Sequence, residues 1–233
     1  MEQYKIYNDI AQRTQGDIYI GVVGPVRTGK STFIKRFMDL LVLPNIENEH
    51  IRTRTVDELP QSGSGRTIMT TEPKFIPNEA VRINVEENAS FNVRMIDCVG
   101  YCVNGAQGHT EDGQPRMVTT PWFEEDIPFD KAAEIGTEKV IREHSTIGLV
   151  ITTDGSICDI PRYEYVAAEE RVVSELKEIN KPFIILLNSA MPESDSARTI
   201  QSELEKKYGV PVFLLSCADM RLDDINNIMR NVL

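Results

Sequence analysis

The segment VVGPVRTGKSTFIKRF, from Val22 to Phe37, contains the residue types that bind a nucleoside triphosphate. Gly24, Gly29, Lys30 and Ser31 have the spacing G-x-x-x-x-G-K-[ST] between an apolar run and a helical pattern. In this motif the glycines let backbone N–H groups converge on one point, and the start of a helix adds partial positive charge. The lysine reaches the β- and γ-phosphates, and the serine hydroxyl binds Mg²⁺. The segment therefore predicts a phosphate-binding loop, the P-loop.

A second group of candidate residues surrounds the apolar run NVRMIDCVG. Asp97 ends this run, and Gly100 follows three residues later. In P-loop proteins such a carboxylate holds a water of Mg²⁺, and the glycine N–H senses the γ-phosphate. Thr70 and Thr71 precede the neighbouring predicted strand, where one hydroxyl would bind Mg²⁺ and one carbonyl would hold the attacking water; the sequence leaves open which threonine does so.

The predicted sites follow from these two groups and from one further strand end. We predict Lys30, Thr70, Thr71 and Asp97 as catalytic residues and Ser31, Thr70 and Asp97 as Mg²⁺ ligands. The predicted nucleotide contacts are Gly24, Arg27, Thr28, Gly29, Lys30, Ser31, Thr32, Gly100 and Asn188. The predicted cofactors are ATP and Mg²⁺.

The residues at the base-recognition position indicate adenine. Many P-loop GTPases read guanine through N-K-x-D, and the corresponding stretch here is Asn188, Ser189, Ala190 and Met191. A carboxylate at the fourth position accepts hydrogen bonds from guanine N1–H and N2–H₂, whereas adenine presents a lone pair at N1. Because the Lys and the Asp are both missing, the sequence predicts a preference for ATP over GTP.

The residue that would orient the attacking water also departs from the Ras-like pattern. Ras-like proteins place a Gln after D-x-x-G, but Tyr101 stands there in this chain. We expect slow hydrolysis unless the threonine pair or a neighbouring subunit completes the site. Arg52, Arg54 and Arg66 are candidates for such charge stabilisation, although a solvated side chain is the simpler interpretation of each.

The elements that must position these residues alternate between apolar runs and helical periods. Residues 17–24 predict a first strand, and the apolar residues after Lys30 share one helical face. Residues 74–85 and 89–100 predict a hairpin of two strands. The remaining predicted strands are 146–155, 182–189 and 210–217, and the remaining predicted helices are 131–144, 162–179, 196–208 and 222–232. The pattern indicates an α/β P-loop fold of the Ras and translation-factor branch: a mostly parallel sheet with one antiparallel strand and helices on both faces.

Two polar stretches interrupt this alternation. Residues 45–71 have no clear period, and residues 101–130 are rich in Gly, Pro and acidic residues. Both flank predicted site residues, so we expect functional loops over the ligand rather than core elements.

Composition limits the classes of partner and location. The chain has 233 residues and a net charge of −11, which disfavours nucleic acid and anionic lipid as main partners. It contains no apolar run long enough for a membrane span and no secretory pattern at its start, so we expect a cytoplasmic protein. Its four cysteines lack metal-site spacing and are expected to be reduced thiols.

Several stretches together resemble one family. GPVRTGKST, GRTIMTTEPKF, MIDCVGYCVNGA, PWFEEDIPFDKAAEIGTEKVI and LLNS are similar to the stage IV sporulation protein A family of spore-forming bacteria, and the similarity runs along essentially the whole chain. The resemblance implies an ATPase that assembles an irreversible polymer beneath the spore coat, on the forespore surface facing the mother-cell cytoplasm. It implies that Lys30 binds nucleotide, that Asp97 serves the metal, and that Thr70 and Thr71 support hydrolysis.

The resemblance also implies partners and domain organisation. The implied partners are further copies of the protein, other spore coat proteins and a small membrane-surface peptide, with no nucleic acid. Members of the family are longer and carry C-terminal regions for anchoring and assembly. Residues 1–233 are therefore expected to be one P-loop ATPase domain of a longer protein.

Two other classes of function share the P-loop. One is a GTPase-like regulatory switch that binds a protein partner, and the missing N-K-x-D and the acidic composition speak against it. The other is a small-molecule kinase; the predicted hairpin before Asp97 and the lack of an evident Arg-rich lid speak against that class.

Overall fold

The computed structural model describes residues 17–60, 72–86, 89–106, 108–111 and 113–232, and elements are numbered within these ranges. The six longer strands are β1 (Asp17–Val23), β2 (Lys74–Glu86), β3 (Ala89–Asp97), β8 (Ile147–Thr153), β9 (Phe183–Asn188) and β10 (Val212–Leu215). The short strands are β4 (Thr110–Glu111), β5 (Gln114–Pro115), β6 (Met117–Val118) and β7 (Ile127–Pro128). The helices are α1 (Lys30–Phe37), α2 (Glu49–Glu58), α3 (Phe129–Lys139), α4 (Arg162–Glu178), α5 (Asp195–Tyr208) and α6 (Leu222–Val232).

The six longer strands form one mixed sheet in the order β10-β9-β8-β1-β3-β2. β1 is parallel to both β3 and β8, and β9 is parallel to both β8 and β10. Only β2, at one edge of this sheet, is antiparallel to its neighbour. The predicted mostly parallel α/β sheet with one antiparallel strand is confirmed.

Apolar side chains cover both faces of the sheet. On one face Ile20 and Val22 pack in a cluster with Phe33 of α1 and Met229 of α6. On the other face a second cluster joins the sheet to α4 and α5, as the burial of Val172 illustrates. All seven residues of β8 are buried, because a central parallel strand is covered on both sides. This placement confirms the prediction of helices on both faces.

The first helix continues past its regular part. α1 runs into a π-helical turn, Met38–Val42, and then into a 3-10 turn, Leu43–Asn45. Pro44 lies in that last turn, as expected for a residue that cannot extend a helix. α3 likewise continues into a π-helical turn, Val140–His144.

The prediction of an irregular loop over residues 45–71 was wrong for α2. Asn48 caps this helix, because its Oδ1 accepts hydrogen bonds from the N–H groups of His50 and Ile51 at 2.9 and 3.2 Å. Thr55 is its one buried residue, so α2 lacks the periodic apolar face by which a helix is recognised in sequence. Residues 61–71 of the predicted loop lie outside the described part of the chain.

The stretch 101–130 is largely irregular, as predicted. Within it the structure describes two short antiparallel pairs, β4 with β5 and β6 with β7, before α3 begins at Phe129. Among the described helices, none combines the length and the apolar character that crossing a membrane requires.

Candidate functional site

The P-loop connects the end of β1 to the start of α1, as predicted. Gly29 has a φ of 94° and directly precedes the helix. A Cβ atom at this position would lie 2.3 Å from Nδ2 of Asn188. Only glycine combines this left-handed backbone with so close an approach, which explains the second glycine of the motif. The loop therefore turns tightly against the end of β9.

Lys30 is the buried cation of the P-loop. Its side-chain Nζ donates hydrogen bonds to the carbonyl oxygens of Pro25 at 2.6 Å and Gly24 at 3.3 Å. Burial lowers the pKa of Lys30, and the neighbouring Cys98 and Asp97 oppose that shift. A buried ammonium held by neutral carbonyls is a group that gains from meeting an anion, and phosphate oxygens are suitable partners.

Ser31 and Asp97 meet beside this lysine. The parallel register of β1 and β3 pairs Val22 with Asp97, so the carboxylate stands at the mouth of the P-loop. The Ser31 hydroxyl donates to Asp97 Oδ2 at 3.3 Å. Asp97 Oδ1 is buried and has no hydrogen-bond partner among the described residues. Burial raises the pKa of Asp97, while Lys30 opposes the rise.

These two side chains fit a magnesium ion. Mg²⁺ prefers oxygen ligands and in nucleotide sites is held by one or two protein groups together with substrate phosphates. A hydroxyl and a carboxylate with one unpartnered oxygen offer such ligands, next to a predicted phosphate cradle. Ser31 and Asp97 would hold the ion, directly or through water.

Gly100 packs against the P-loop. Its φ is 91°, and a Cβ atom here would lie 2.0 Å from the Gly24 carbonyl oxygen and 2.7 Å from Lys30 Nζ. No side chain fits at this position, so the backbone after β3 approaches the end of the lysine side chain. Its role as a sensor of the γ-phosphate stays a prediction.

Tyr101 points away from the P-loop. Its ring is buried beneath the guanidinium of Arg171, with the Cζ atom 4.1 Å from the ring centroid, and its hydroxyl donates to Glu175 on α4. Its backbone carbonyl accepts a hydrogen bond from Val26 N–H at 2.9 Å. Burial raises the pKa of Tyr101, and the bond to Glu175 adds to the rise. The side chain is therefore directed toward α4.

Asn188 lies at the end of β9 and contacts the P-loop directly. Its amide Nδ2 donates to the carbonyl of Thr28 at 3.0 Å, and its Oδ1 accepts from Cys217 N–H at 2.9 Å. The hydroxyl of Thr28 in turn donates to Pro25 O at 3.0 Å. The amide therefore joins the P-loop to the residues after β10, and a contact from Asn188 to the base stays a prediction.

The other predicted site residues have the following positions. Arg27 has a left-handed backbone, with φ of 63°, and borders a cavity of about 480 Å³ lined also by residues 104–106 and 157–161. Thr32 lies in the first turn of α1 and is half-buried. Arg54 pairs with Glu58 and Glu79 on the surface, and Arg52 is exposed on α2. The predicted Arg66, Thr70 and Thr71 lie outside the described residues.

A polar cluster beside the P-loop did not emerge from sequence reasoning. Asp154 follows β8 and accepts hydrogen bonds from the hydroxyls of Ser189 at 2.6 Å and Ser156 at 2.5 Å. Ser156 Oγ accepts the N–H of Ala190 at 2.8 Å, and Ser189 Oγ accepts the N–H of Met191 at 3.0 Å. The available signal was the position of Asp154 directly after an apolar strand, at the same edge of the sheet as the P-loop.

Comparison with known proteins identifies one family along the whole chain. The family model described as Stage IV sporulation protein A, ATPase domain, matches residues 1–233. The chain is 58% identical to Stage IV sporulation protein A of Bacillus anthracis over 233 residues, and 57% identical to that of Bacillus subtilis (strain 168), covering 47% of each relative. The protein of the same name in Clostridioides difficile (strain 630) is 58% identical over 228 residues, or 46% of its length. The chain thus spans about half the length of these curated relatives.

Comparison with solved structures aligns this chain with proteins of low sequence identity. The FeoB G-domain from Methanococcus jannaschii aligns with 93% of this chain and 97% of its own, at 15% identity and a TM-score of 0.41. A mutation variant of SsGBP aligns with 99% of this chain and 63% of its own, at 13% identity and a TM-score of 0.46.

Proposed function

The chain belongs to the family of the stage IV sporulation protein A ATPase domain, and on that premise we propose that residues 1–233 are one P-loop domain that binds ATP with Mg²⁺ and hydrolyses it to ADP and phosphate. One observation supports this most strongly. The buried ammonium of Lys30, the hydroxyl of Ser31 and the half-partnered carboxylate of Asp97 converge at the ends of β1 and β3.

Each of these groups has a separate role in the proposal. Lys30 exchanges its carbonyl partners for oxygens of the β- and γ-phosphates, and the P-loop N–H groups bind the remaining charge. Ser31 and Asp97 would hold Mg²⁺, which when bound would supply positive charge that neutralises the triphosphate. Either Thr70 or Thr71 is proposed to offer its hydroxyl to Mg²⁺ and its carbonyl to the attacking water. Hydrolysis is slow, because Tyr101 faces α4 and cannot replace the glutamine of Ras-like proteins.

The nucleotide base is proposed to be adenine. The turn after β9 has Met191 at the position where GTPases have the carboxylate that binds guanine. The side-chain amide of Asn188 makes its hydrogen bonds to the backbone of Thr28 and Cys217. Guanine would leave two N–H donors without an acceptor at that position.

Assembly is the proposed outcome of hydrolysis. We propose that the loss of the γ-phosphate reshapes the segments that join α1 to β2 and β3 to α3, and that this change exposes a surface for self-association. In the longer protein, the polymer would form on the forespore surface as a scaffold of the spore coat. The partners would be further copies, other coat proteins and a small membrane-surface peptide, all in the mother-cell cytoplasm.

Two measurements test the proposal. Phosphate release from ATP and from GTP is compared on the purified chain, and we expect a clear preference for ATP. A GTP rate equal to or above the ATP rate would contradict the adenine assignment, and phosphoryl transfer to a metabolite would favour a kinase. Sedimentation of the longer protein is expected to require ATP; ATP-independent sedimentation would contradict hydrolysis-driven assembly.

A further inference from the structure

The order of strands indicates where the base of the nucleotide lies. The P-loop follows β1, and the groups suited to the γ-phosphate and metal, Asp97 and Gly100, follow β3 on one side of it. The other side of β1 is occupied by β8, β9 and β10. A triphosphate that crosses the end of β1 with its γ-phosphate toward β3 therefore directs its nucleoside toward the ends of β8 to β10.

The turn after β9 stands on that side and is attached to the P-loop. Asn188 binds the Thr28 carbonyl, and Gly29 lies directly against the same amide. Residues 189–191 continue from this contact. The conformation of residues 189–191 should therefore determine the contacts of the protein with the nucleoside. The groups for the phosphates and the metal, Lys30 and Asp97, belong to other segments.

The path of the turn is fixed by the carboxylate of Asp154. Each oxygen of this carboxylate accepts a serine hydroxyl, Ser189 on one and Ser156 on the other. Each of those hydroxyls accepts one backbone N–H of the turn, from Met191 and Ala190 respectively. Asp154 Oδ1 also accepts the N–H of Ser156 at 2.9 Å, which holds Ser156 beside the carboxylate. Both oxygens therefore help to orient the turn, and the N–H groups of Ala190 and Met191 are already hydrogen-bonded within the protein.

Met191 is the large apolar side chain that this turn exposes to solvent. It is 65% exposed, although large apolar residues are usually buried. On the edge that carries N1 and C2, adenine has an acceptor and an apolar C–H, whereas guanine has two N–H donors. A thioether can pack against the first edge but cannot accept the two hydrogen bonds that the second edge must make.

We propose that Met191 is the residue that selects adenine over guanine, and that Asp154, Ser156 and Ser189 are positioning residues that hold it there. This inference rests on the proposed ATP binding and adds the residues that determine base specificity. The cluster takes over the task that the Lys and Asp of N-K-x-D perform in GTPases.

The first test introduces the missing carboxylate. In Met191→Asp we expect the ratio of GTP affinity to ATP affinity, measured by calorimetry with Mg²⁺, to rise by at least about tenfold. Met117→Asp is the matched control, since Met117 is 53% exposed on β6. In this variant the ratio of GTP affinity to ATP affinity should equal that of the wild type. An unchanged ratio in folded Met191→Asp would overturn the assignment of Met191.

The second test separates the base from the phosphates. Asp154→Ala is expected to weaken ATP about tenfold while the affinity for inorganic tripolyphosphate, which has no base, changes by less than about twofold. The loss should appear in KM for ATP rather than in kcat. Equal weakening of both ligands would mean that Asp154 supports the P-loop itself, and would overturn its positioning role. If the wild-type chain bound neither ATP nor tripolyphosphate, the proposed function would fail instead.

Discussion

The hydroxyl of Tyr101 donates a hydrogen bond to Glu175 Oε2 at 2.5 Å, which ties the residue after Gly100 to α4. In Ras-like proteins the residue at this position orients the attacking water. Here the same position stabilises packing between the segment after β3 and the helix on the second face of the sheet. The orientation of Tyr101 toward α4 is consistent with the proposal that hydrolysis is slow, and that rate stays a prediction.

Removing this hydroxyl should affect stability but not turnover. Tyr101→Phe leaves the Glu175 carboxylate, whose side chain is 17% exposed, without this partner. We expect the free energy of unfolding in urea to fall by about 1–2 kcal/mol. ATP turnover should stay within about twofold of wild type, because the hydroxyl faces away from the site. Tyr163→Phe is the control, since Tyr163 is 72% exposed. A large loss of turnover with unchanged stability would indicate a direct role of Tyr101 in hydrolysis.

Replacing the P-loop lysine should abolish nucleotide binding. Lys30→Ala removes the one ammonium that lies within the P-loop, and we expect ATP affinity measured by calorimetry to fall by at least about a hundredfold. The folded structure should persist, because burial of this cation is itself unfavourable, as its lowered pKa indicates. Lys35→Ala, an exposed lysine of the same helix, should bind ATP like wild type. Retained binding in Lys30→Ala would exclude the proposed phosphate site.

Metal removal should identify Asp97 as part of the magnesium site. Chelation of Mg²⁺ by EDTA is expected to weaken ATP binding to the wild-type chain by about tenfold or more. In Asp97→Asn, ATP binding should already be weak and should respond little to EDTA, since the charged ligand is gone. Asp57→Asn, at an exposed position of α2, is the control and should respond like wild type. Full sensitivity of Asp97→Asn to EDTA would show that the metal is held elsewhere.

The sequence was sufficient to predict the strand and the helix that flank the P-loop and the proximity of Asp97 to it. Gly29, Lys30 and Ser31 belong to a motif whose spacing requires a strand before it and a helix after it, and both are present. Asp97 was found because an apolar run ends there. In each case the information lies within a few neighbouring residues, so no knowledge of the tertiary structure was needed.

Two features could not be derived in the same way. α2 buries little besides Thr55, so its sequence has no apolar period; the cap at Asn48 and the acidic Glu49 in the first turn were the local signals. The Asp154–Ser189 contact joins residues 35 positions apart and exists because β8 and β9 are neighbours in the sheet. Contacts of this kind depend on strand order, which local patterns do not specify.

A buried ion pair on the second face of the sheet should be important for stability. Glu169 is fully buried, binds Arg162 at 2.8 Å and accepts hydrogen bonds from Thr152 and Tyr208. Glu169→Ala leaves a largely buried guanidinium unpaired, so we expect the free energy of unfolding to fall by about 3 kcal/mol or more.

The neighbouring acidic residue provides a matched control. Glu170 pairs with Lys207 on the surface, where both side chains are more than a third exposed. Glu170→Ala should therefore cost less than about 1 kcal/mol in the same urea titration. Equal effects of the Glu169→Ala and Glu170→Ala substitutions would contradict the assigned burial of the pair.

The buried thiol of Cys217 should make stability fall at alkaline pH. Burial raises its pKa from an ordinary 9.0 to about 12, so between these values the unfolded chain loses the proton while the folded chain keeps it. The unfolded state then binds fewer protons, and the free energy of unfolding decreases as pH rises, by up to about 1.4 kcal/mol per pH unit for one thiol.

The variant Cys217→Ala lacks this contribution to the pH dependence of stability. In urea titrations under reducing conditions, wild type should lose about 1 kcal/mol more than Cys217→Ala between about pH 9 and 10. Parallel pH profiles of the two proteins would mean that the thiol ionises equally well in the folded chain, which the full burial of Cys217 argues against.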